Sequence, residues 1–208
     1  MKILALTFLL LLALVTATNG QADEMEESAF PVWTEEDRSY LLDNLTRSLE
    51  ELTNEVVNLT DEQWNFRENP DRWSINQIVE HLAIYELIFM NQISVALQMG
   101  EFPQIKKYPA DSLFLGDSPN KNKTTDFTKP FSYTVPLGNN HGINNLTWLK
   151  TMRNDSIDFV RTEERNLRLY YVNFGPNIHQ QIMQIFSHTD RHLRQIKEVK
   201  LHPNYPES

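Results

Sequence analysis

The chain has no cysteine among its 208 residues and only six glycines. Without cysteine there can be no disulfide, no thiolate metal ligand and no cysteine nucleophile. The few glycines form neither a phosphate-binding loop nor the Gly-x-Ser-x-Gly elbow of serine hydrolases. These absences exclude several enzyme classes and leave a fold that depends on the packing of its core.

Basic residues are also few. The chain has 19 Lys and Arg against 28 Asp and Glu, and its formal net charge is −9. No basic patch accompanies this acidic balance, and nucleic-acid-binding domains usually carry one. We therefore expect no nucleic acid partner.

The N-terminal segment has the pattern of a secretory signal. Lys2 precedes an apolar run that extends to Val15, and small or polar residues follow it up to Gly20. The run is shorter than the roughly 20 residues that cross a bilayer, and this pattern is typical of a signal peptide. We predict a signal peptide at residues 1–20, export to the periplasm or the exterior, and no stable membrane insertion after cleavage. A short membrane anchor is the alternative.

The rest of the chain divides into an acidic leader and one helical domain. Residues 21–32 lack a periodic pattern and are predicted to be a mobile leader, followed by a domain over residues 33–208. Apolar periodicity and capping residues predict four helices in this domain. Their predicted limits are Thr34 to about Asn58, Ser74 to Gly100, about Asn145 to Arg168, and near Pro176 to about Lys200.

A long connection separates the second and third predicted helices. Residues 101–143 contain five prolines and many polar residues, and residues 131–135 are the candidate for an extended segment. The other joints between the long helices are shorter. This arrangement predicts an all-α fold: a four-helix bundle with a long crossover between helices 2 and 3.

Three histidines are predicted to face the interior of the bundle. His188 and His192 lie four residues apart, on one face of the fourth helix, and His81 lies on the apolar stripe of the second. Three imidazoles with open coordination positions are typical of a catalytic divalent metal site. We therefore predict that His81, His188 and His192 bind a divalent cation. The alternative is that each is an ordinary core residue that forms hydrogen bonds.

Other polar and aromatic residues have simpler interpretations. Tyr85 and Gln195 each lie one helical turn from a predicted ligand and are candidate contacts for the site or its substrate. No inward carboxylate presents itself as a general base, so the catalytic residues are left unassigned. We expect exposed side chains at His141, His179 and His202, and core positions for Trp64, Phe66 and Trp73.

Three stretches of the sequence resemble the DinB-like family, which includes DinB- and YfiT-type proteins. They are Leu-Thr-Asp-Glu-Gln-Trp at 59–64, Trp-Ser-Ile-Asn-Gln-Ile-Val-Glu-His-Leu at 73–82, and His-Thr-Asp-Arg-His-Leu-Arg-Gln-Ile at 188–196, followed by His-Pro-Asn-Tyr-Pro at 202–206.

This resemblance implies a helical bundle and a site in which His81, His188 and His192 hold zinc, nickel or another divalent ion. Family members include thiol-dependent S-transferases, and many others have no assigned reaction. The export signal distinguishes this chain from intracellular relatives.

Two functions remain open at this point. The first is an exported metal-dependent hydrolase or S-transferase that acts on an unidentified small molecule. The second is a non-catalytic binding module whose metal is structural or absent. The sequence does not determine the oligomeric state, and we consider a homodimer as one assembly that the chain could form.

Overall fold

A computed structural model describes residues 31–102, 110–115, 132–173 and 175–207. The predicted signal peptide at 1–20 lies outside the described residues. So do residues 21–30 of the predicted leader and residues 103–109 and 116–131 of the predicted crossover.

The prediction of an all-α fold is confirmed. Apart from one isolated bridge, the described residues contain helices and no strand. Among the described residues, four α-helices are long and one is short, and two 3-10 helices lie in the described parts of the connection after α3. The helices are α1 (Glu35–Val56), α2 (Asp61–Asn65), α3 (Ile75–Met99), α4 (Ile143–Thr162) and α5 (Ile178–Lys200), and the 3-10 helices are Asp111–Phe114 and Ser132–Thr134.

One predicted helix boundary and one predicted extended segment are wrong. The third long helix, α4, ends at Thr162 and not near Arg168. Here the Glu163 side chain accepts hydrogen bonds from the next two backbone N–H groups, which favours a turn over another helical turn. The candidate extended segment at 131–135 instead contains the second 3-10 helix.

Capping residues set the starts of four of the five α-helices in the described residues. Ser74 and Gln77 form a capping box at the start of α3, where the sequence predicts that a helix begins, and equivalent boxes begin α1, α2 and α5. Helix α4 follows Gly142 and has no side-chain cap. At the other end of α3, Gly100 adopts φ 89°, a conformation that glycine tolerates best. Both limits of α3 therefore follow from local sequence.

The long helices bury their apolar stripes against one another. Helices α1 and α3 each pack against both α4 and α5. The inward face of α5 is buried along its whole length. It comprises Ile178, Ile182, Ile185, Thr189, His192, Ile196 and Val199.

Helix α3 is the most apolar of the described helices. By length and composition alone it could cross a bilayer. A core helix of a globular domain passes the same test, and α3 contributes buried residues to both hydrophobic clusters of the core. Its apolar character thus has an explanation in packing.

A buried ion pair joins all four long helices. The side chain of Arg153 on α4 is fully buried, and its Nε donates to Oε1 of Glu86 on α3 at 2.7 Å. The remaining guanidinium nitrogens donate to the Leu45 carbonyl and the Ser48 hydroxyl on α1, and to the Thr189 hydroxyl on α5. These directional contacts therefore fix the positions of the four helices along their axes relative to one another.

We expect the substitution Arg153→Met to lower the free energy of unfolding by about 3–5 kcal/mol, because it leaves the Glu86 carboxylate buried without its partner. The double variant Arg153→Met/Glu86→Leu should regain much of that loss, since no charge is then buried. Urea unfolding followed by circular dichroism measures both. Replacing Arg161, which forms an exposed pair with Asp158, is the control and should change stability far less.

Candidate metal centre

The structure brings the three predicted histidines together. His81 on α3 faces His188 and His192 on α5, and the Nε2 atoms of His81 and His188 are 2.9 Å apart. The ring centre of His192 lies 5.0 Å from that of His81 and 4.5 Å from that of His188. Each histidine offers one nitrogen, and these nitrogens all lie within 4.8 Å of one another.

Hydrogen bonds orient two of the rings. Nδ1 of His81 donates to the backbone carbonyl of Thr134 at 2.7 Å, and Nδ1 of His192 donates to Oε1 of Gln195 at 2.9 Å. A ring that carries its proton on Nδ1 presents the lone pair of Nε2. This is how histidine ligands are usually held by their outer partners.

The same two histidines are neutral at neutral pH. Burial lowers the pKa of His81, as does the charge of Arg191, while the hydrogen bond to Thr134 opposes the shift. Burial also lowers the pKa of His192 to about 3, with further contributions from His81 and Arg191. Neutral imidazole is the form that binds a metal ion, so the environment favours the binding state.

This donor set fits a divalent cation. Two nitrogens that bind one cation at about 2.0–2.1 Å lie on the order of 3 Å from each other, close to the separation of the His81 and His188 nitrogens. Small side-chain movements would bring the third nitrogen into contact with the same ion. The three-histidine group could therefore hold a metal ion.

Aromatic rings pack against the ligands. Tyr85 stacks on His188 with ring centres 4.0 Å apart, and Trp73 lies 4.9 Å from His81. Burial raises the pKa of the Tyr85 hydroxyl, which therefore keeps its proton. The candidate contacts Tyr85 and Gln195 thus both lie beside the histidines.

A cleft of about 280 Å³ opens over one side of the group. His188 is half-buried and lines this cleft, whereas His81 and His192 are buried. The Ser187 hydroxyl donates to the Phe114 carbonyl and so attaches the first 3-10 helix to α5. The other lining residues are Tyr85, Leu113, Gln184 and Arg191.

A long irregular connection is a common place for the rim of a pocket, and Leu113 and Phe114 of this connection do line the cleft. The sequence does not single out Ser187 and Arg191. Arg191 is three residues from His188 on α5, and this spacing could have identified it as a neighbour of the site. Leu113 and Phe114 belong to the irregular connection, where no periodic signal predicts a position.

The nearby carboxylates are engaged elsewhere. Glu80 accepts hydrogen bonds from the backbone N–H groups of Gly138 and Asn139. Glu86 is paired with Arg153, and Asp190 with Arg47. Glu80 and Glu86 are thus inward carboxylates that the sequence analysis did not identify, but none of the three lines the cleft.

The expectation that His179 is exposed is wrong. His179 is buried, and its Nδ1 accepts a hydrogen bond from the Trp33 indole at 3.2 Å. Burial lowers its pKa to about 4, and the charge of Arg168 lowers it further, against the opposing effect of Asp37 and Asp111. Trp33, two residues before α1, thus covers the start of α5.

The remaining predictions for histidines and aromatics are mixed. His141 is exposed, and His202 is half-buried against Phe66. Trp64 is a buried core residue, whereas Phe66 and Trp73 are half-buried and pack against the same cluster.

The chain matches a family model. A model described as the DinB superfamily matches residues 44–196, more than half of the chain, and this range contains all three histidines. No curated protein and no solved structure matches the chain.

We expect purified protein to bind about one divalent ion per chain, and the variant His188→Ala/His192→Ala to bind none, because one imidazole cannot replace three. Elemental analysis after dialysis against buffered zinc measures this. His202→Gln is the matched control and should keep the full metal content. Equal, negligible content in wild type and variant would contradict the prediction.

The substitution Gln195→Ala should weaken zinc binding by about 10- to 100-fold without removing a ligand, because the His192 ring loses the acceptor that orients it. Competition with a chromophoric chelator measures the affinity. If the affinity is unchanged, the contact between Gln195 and His192 does not support the metal.

Proposed function

The chain belongs to the DinB superfamily, and from this membership and the three-histidine group we propose that it is a metal-dependent enzyme, a hydrolase or a transferase. In this proposal His81, His188 and His192 hold the ion, and the cleft beside His188 receives a small-molecule substrate.

The position of half-buried His188 at the wall of the cleft is the observation that supports the proposal best. A structural metal site is enclosed by four protein ligands, whereas a catalytic site has three and keeps a position open. Here three histidines converge, and one of them lines a cleft. This arrangement favours an enzyme over a binding module with a structural metal.

Each residue near the ion has a separate role in this proposal. A bound divalent cation supplies Lewis-acid chemistry, which polarises a carbonyl group or lowers the pKa of water. The protonated hydroxyl of Tyr85 can donate a hydrogen bond to a substrate in the cleft. Thr134 and Gln195 keep the lone pairs of His81 and His192 directed at the ion.

Zinc or nickel is the proposed metal. All three donors are imidazole nitrogens, which suit zinc, copper, iron and nickel. Magnesium and calcium prefer oxygen ligands, and none of the carboxylates Glu80, Glu86 and Asp190 lines the cleft.

Export is part of the proposal and rests on the sequence pattern of residues 1–20. Thiol cosubstrates are concentrated in the cytoplasm. An exported location therefore favours hydrolysis over S-transfer. A non-catalytic role would not explain why the three-histidine group has one side open to the cleft.

We expect zinc- or nickel-loaded protein to turn over at least one member of a panel of ester, amide and thiol substrates. Chelation should abolish this activity, and adding the metal back should restore it. His188→Ala/His192→Ala should be inactive with either metal, while His202→Gln, whose side chain lies outside the group, should match wild type. Full activity after complete metal removal would contradict the proposal.

A further inference from the structure

Three of the four glutamines on α5 use their side chains to hold the structure together. The amides of Gln180 and Gln181 donate hydrogen bonds to side chains on the first 3-10 helix and on α3, and the Gln195 oxygen accepts from His192. Gln184 is the exception. Its half-buried side chain lines the cleft and forms no hydrogen bond with any residue that the structure describes.

The hydroxyl of Tyr85 is a second such group in the cleft. Tyr85 is half-buried, and its ring packs against neighbouring aromatic rings of the site. Within the described parts of the chain, its hydroxyl has no hydrogen-bond partner. Both groups therefore keep their hydrogen-bonding capacity for a ligand in the cleft.

Tyr85 and Gln184 lie on either side of His188, the histidine that reaches the cleft. Gln184 precedes His188 by one turn of α5, and side chains at this spacing have Cβ atoms about 5–6 Å apart. The Tyr85 ring stacks on the His188 ring with their centres 4.0 Å apart. A ligand group beside His188 is therefore close to a hydroxyl from α3 and a carboxamide from α5.

These two groups complement an amide. A tyrosine hydroxyl donates one hydrogen bond, and a glutamine side chain offers an acceptor oxygen as well as a donor nitrogen. The carbonyl oxygen of a ligand amide can accept from Tyr85 while its N–H donates to the oxygen of Gln184. A carboxylate, an ester or a ketone has no N–H and leaves that oxygen without a donor.

The cleft also has an apolar part. Leu113 and Phe114 of the first 3-10 helix line it, and 71% of Leu113 is exposed. Covering an exposed leucine with another apolar group is favourable. The volume of about 280 Å³ suits only a small ligand.

We propose that the cleft binds a small N-substituted carboxamide with an apolar acyl group, held by Tyr85 at its carbonyl oxygen and by Gln184 at its N–H. This inference rests on the proposed function and specifies its substrate class. The reaction that fits this substrate is hydrolysis to a carboxylic acid and an amine. The oxygen of water forms the new bond to the acyl carbon, the C–N bond breaks, and one proton of the water leaves with the amine.

Binding of N-methylbenzamide and propiophenone to zinc-loaded protein tests the proposal. The two ligands share the phenyl ring and the carbonyl, and propiophenone has a CH2 group where the amide has its N–H. Gln184→Met retains the length of the side chain and removes its oxygen. We expect this variant to lower the preference for the amide over the ketone by about 5- to 10-fold, because one hydrogen bond is lost. Ligand-observed NMR titration measures both dissociation constants.

Gln98→Met is the matched control. It makes the same change at an exposed position of α3 outside the cleft, and it should keep the wild-type preference. A fall in preference as large as that of Gln184→Met would overturn the assignment.

Tyr85→Phe tests the carbonyl contact separately. It keeps the ring that stacks on His188 and removes the hydroxyl. Both ligands present a carbonyl, so both should bind several-fold more weakly at equal zinc content. Unchanged affinity for both would overturn the carbonyl contact.

The outcomes distinguish this inference from the proposed function. If zinc binds and Gln184→Met changes the preference by less than twofold, or if N-methylbenzamide does not bind, the carboxamide assignment is overturned while the metal centre stands. If the protein binds no zinc, the proposed function fails, and the same titrations are made on the metal-free protein. A preference for the amide that depends on Gln184 would then still support the inference, and its absence would overturn it.

Discussion

The axial positions of the four long helices relative to one another depend on one buried arginine side chain. Arg153 reaches from α4 to α1, α3 and α5, and its nitrogens find acceptors on all three. A guanidinium that loses such partners in a dry interior is costly, so sliding of any one helix is opposed. Two of its contacts lie close in sequence to the metal group: Thr189 follows His188, and Glu86 follows Tyr85. The interaction that stabilises the packing of the long helices thus also fixes where the histidines meet.

The features that local sequence determines could be predicted. A capping box needs residues only three apart, and the box at Ser74 starts α3 where the sequence places it. The seam of α5 follows from helical periodicity, and His192 lies within it as a buried residue. Predicting that His81 meets the pair on α5 required two helical faces that both point inward, together with the family resemblance. The structure brings these three side chains together.

Features that depend on contacts between distant segments could not be predicted. A helical pattern gives the face of Arg153 but not its partner 67 positions away on α3. The position of His179 near a helix start predicts an exposed side chain, and only the fold brings Trp33 over it. The cleft wall at Leu113 and Phe114 comes from a proline-rich connection without periodicity. Most of the contacts that the sequence does not predict therefore involve charged side chains or residues in irregular segments.

The unequal exposure of the three histidines has a consequence for the kinetics of metal exchange. His81 and His192 are buried, whereas His188 is half-buried and reaches the cleft. If the three histidines hold a cation, His188 is the ligand through which that ion would exchange with solvent, because it is the one of the three that lines the cleft. The Tyr85 ring stacked on His188 would restrain this ligand, whereas Thr134 and Gln195 orient the two buried ligands. The residence time of the ion and the strength of its binding would then depend on different residues.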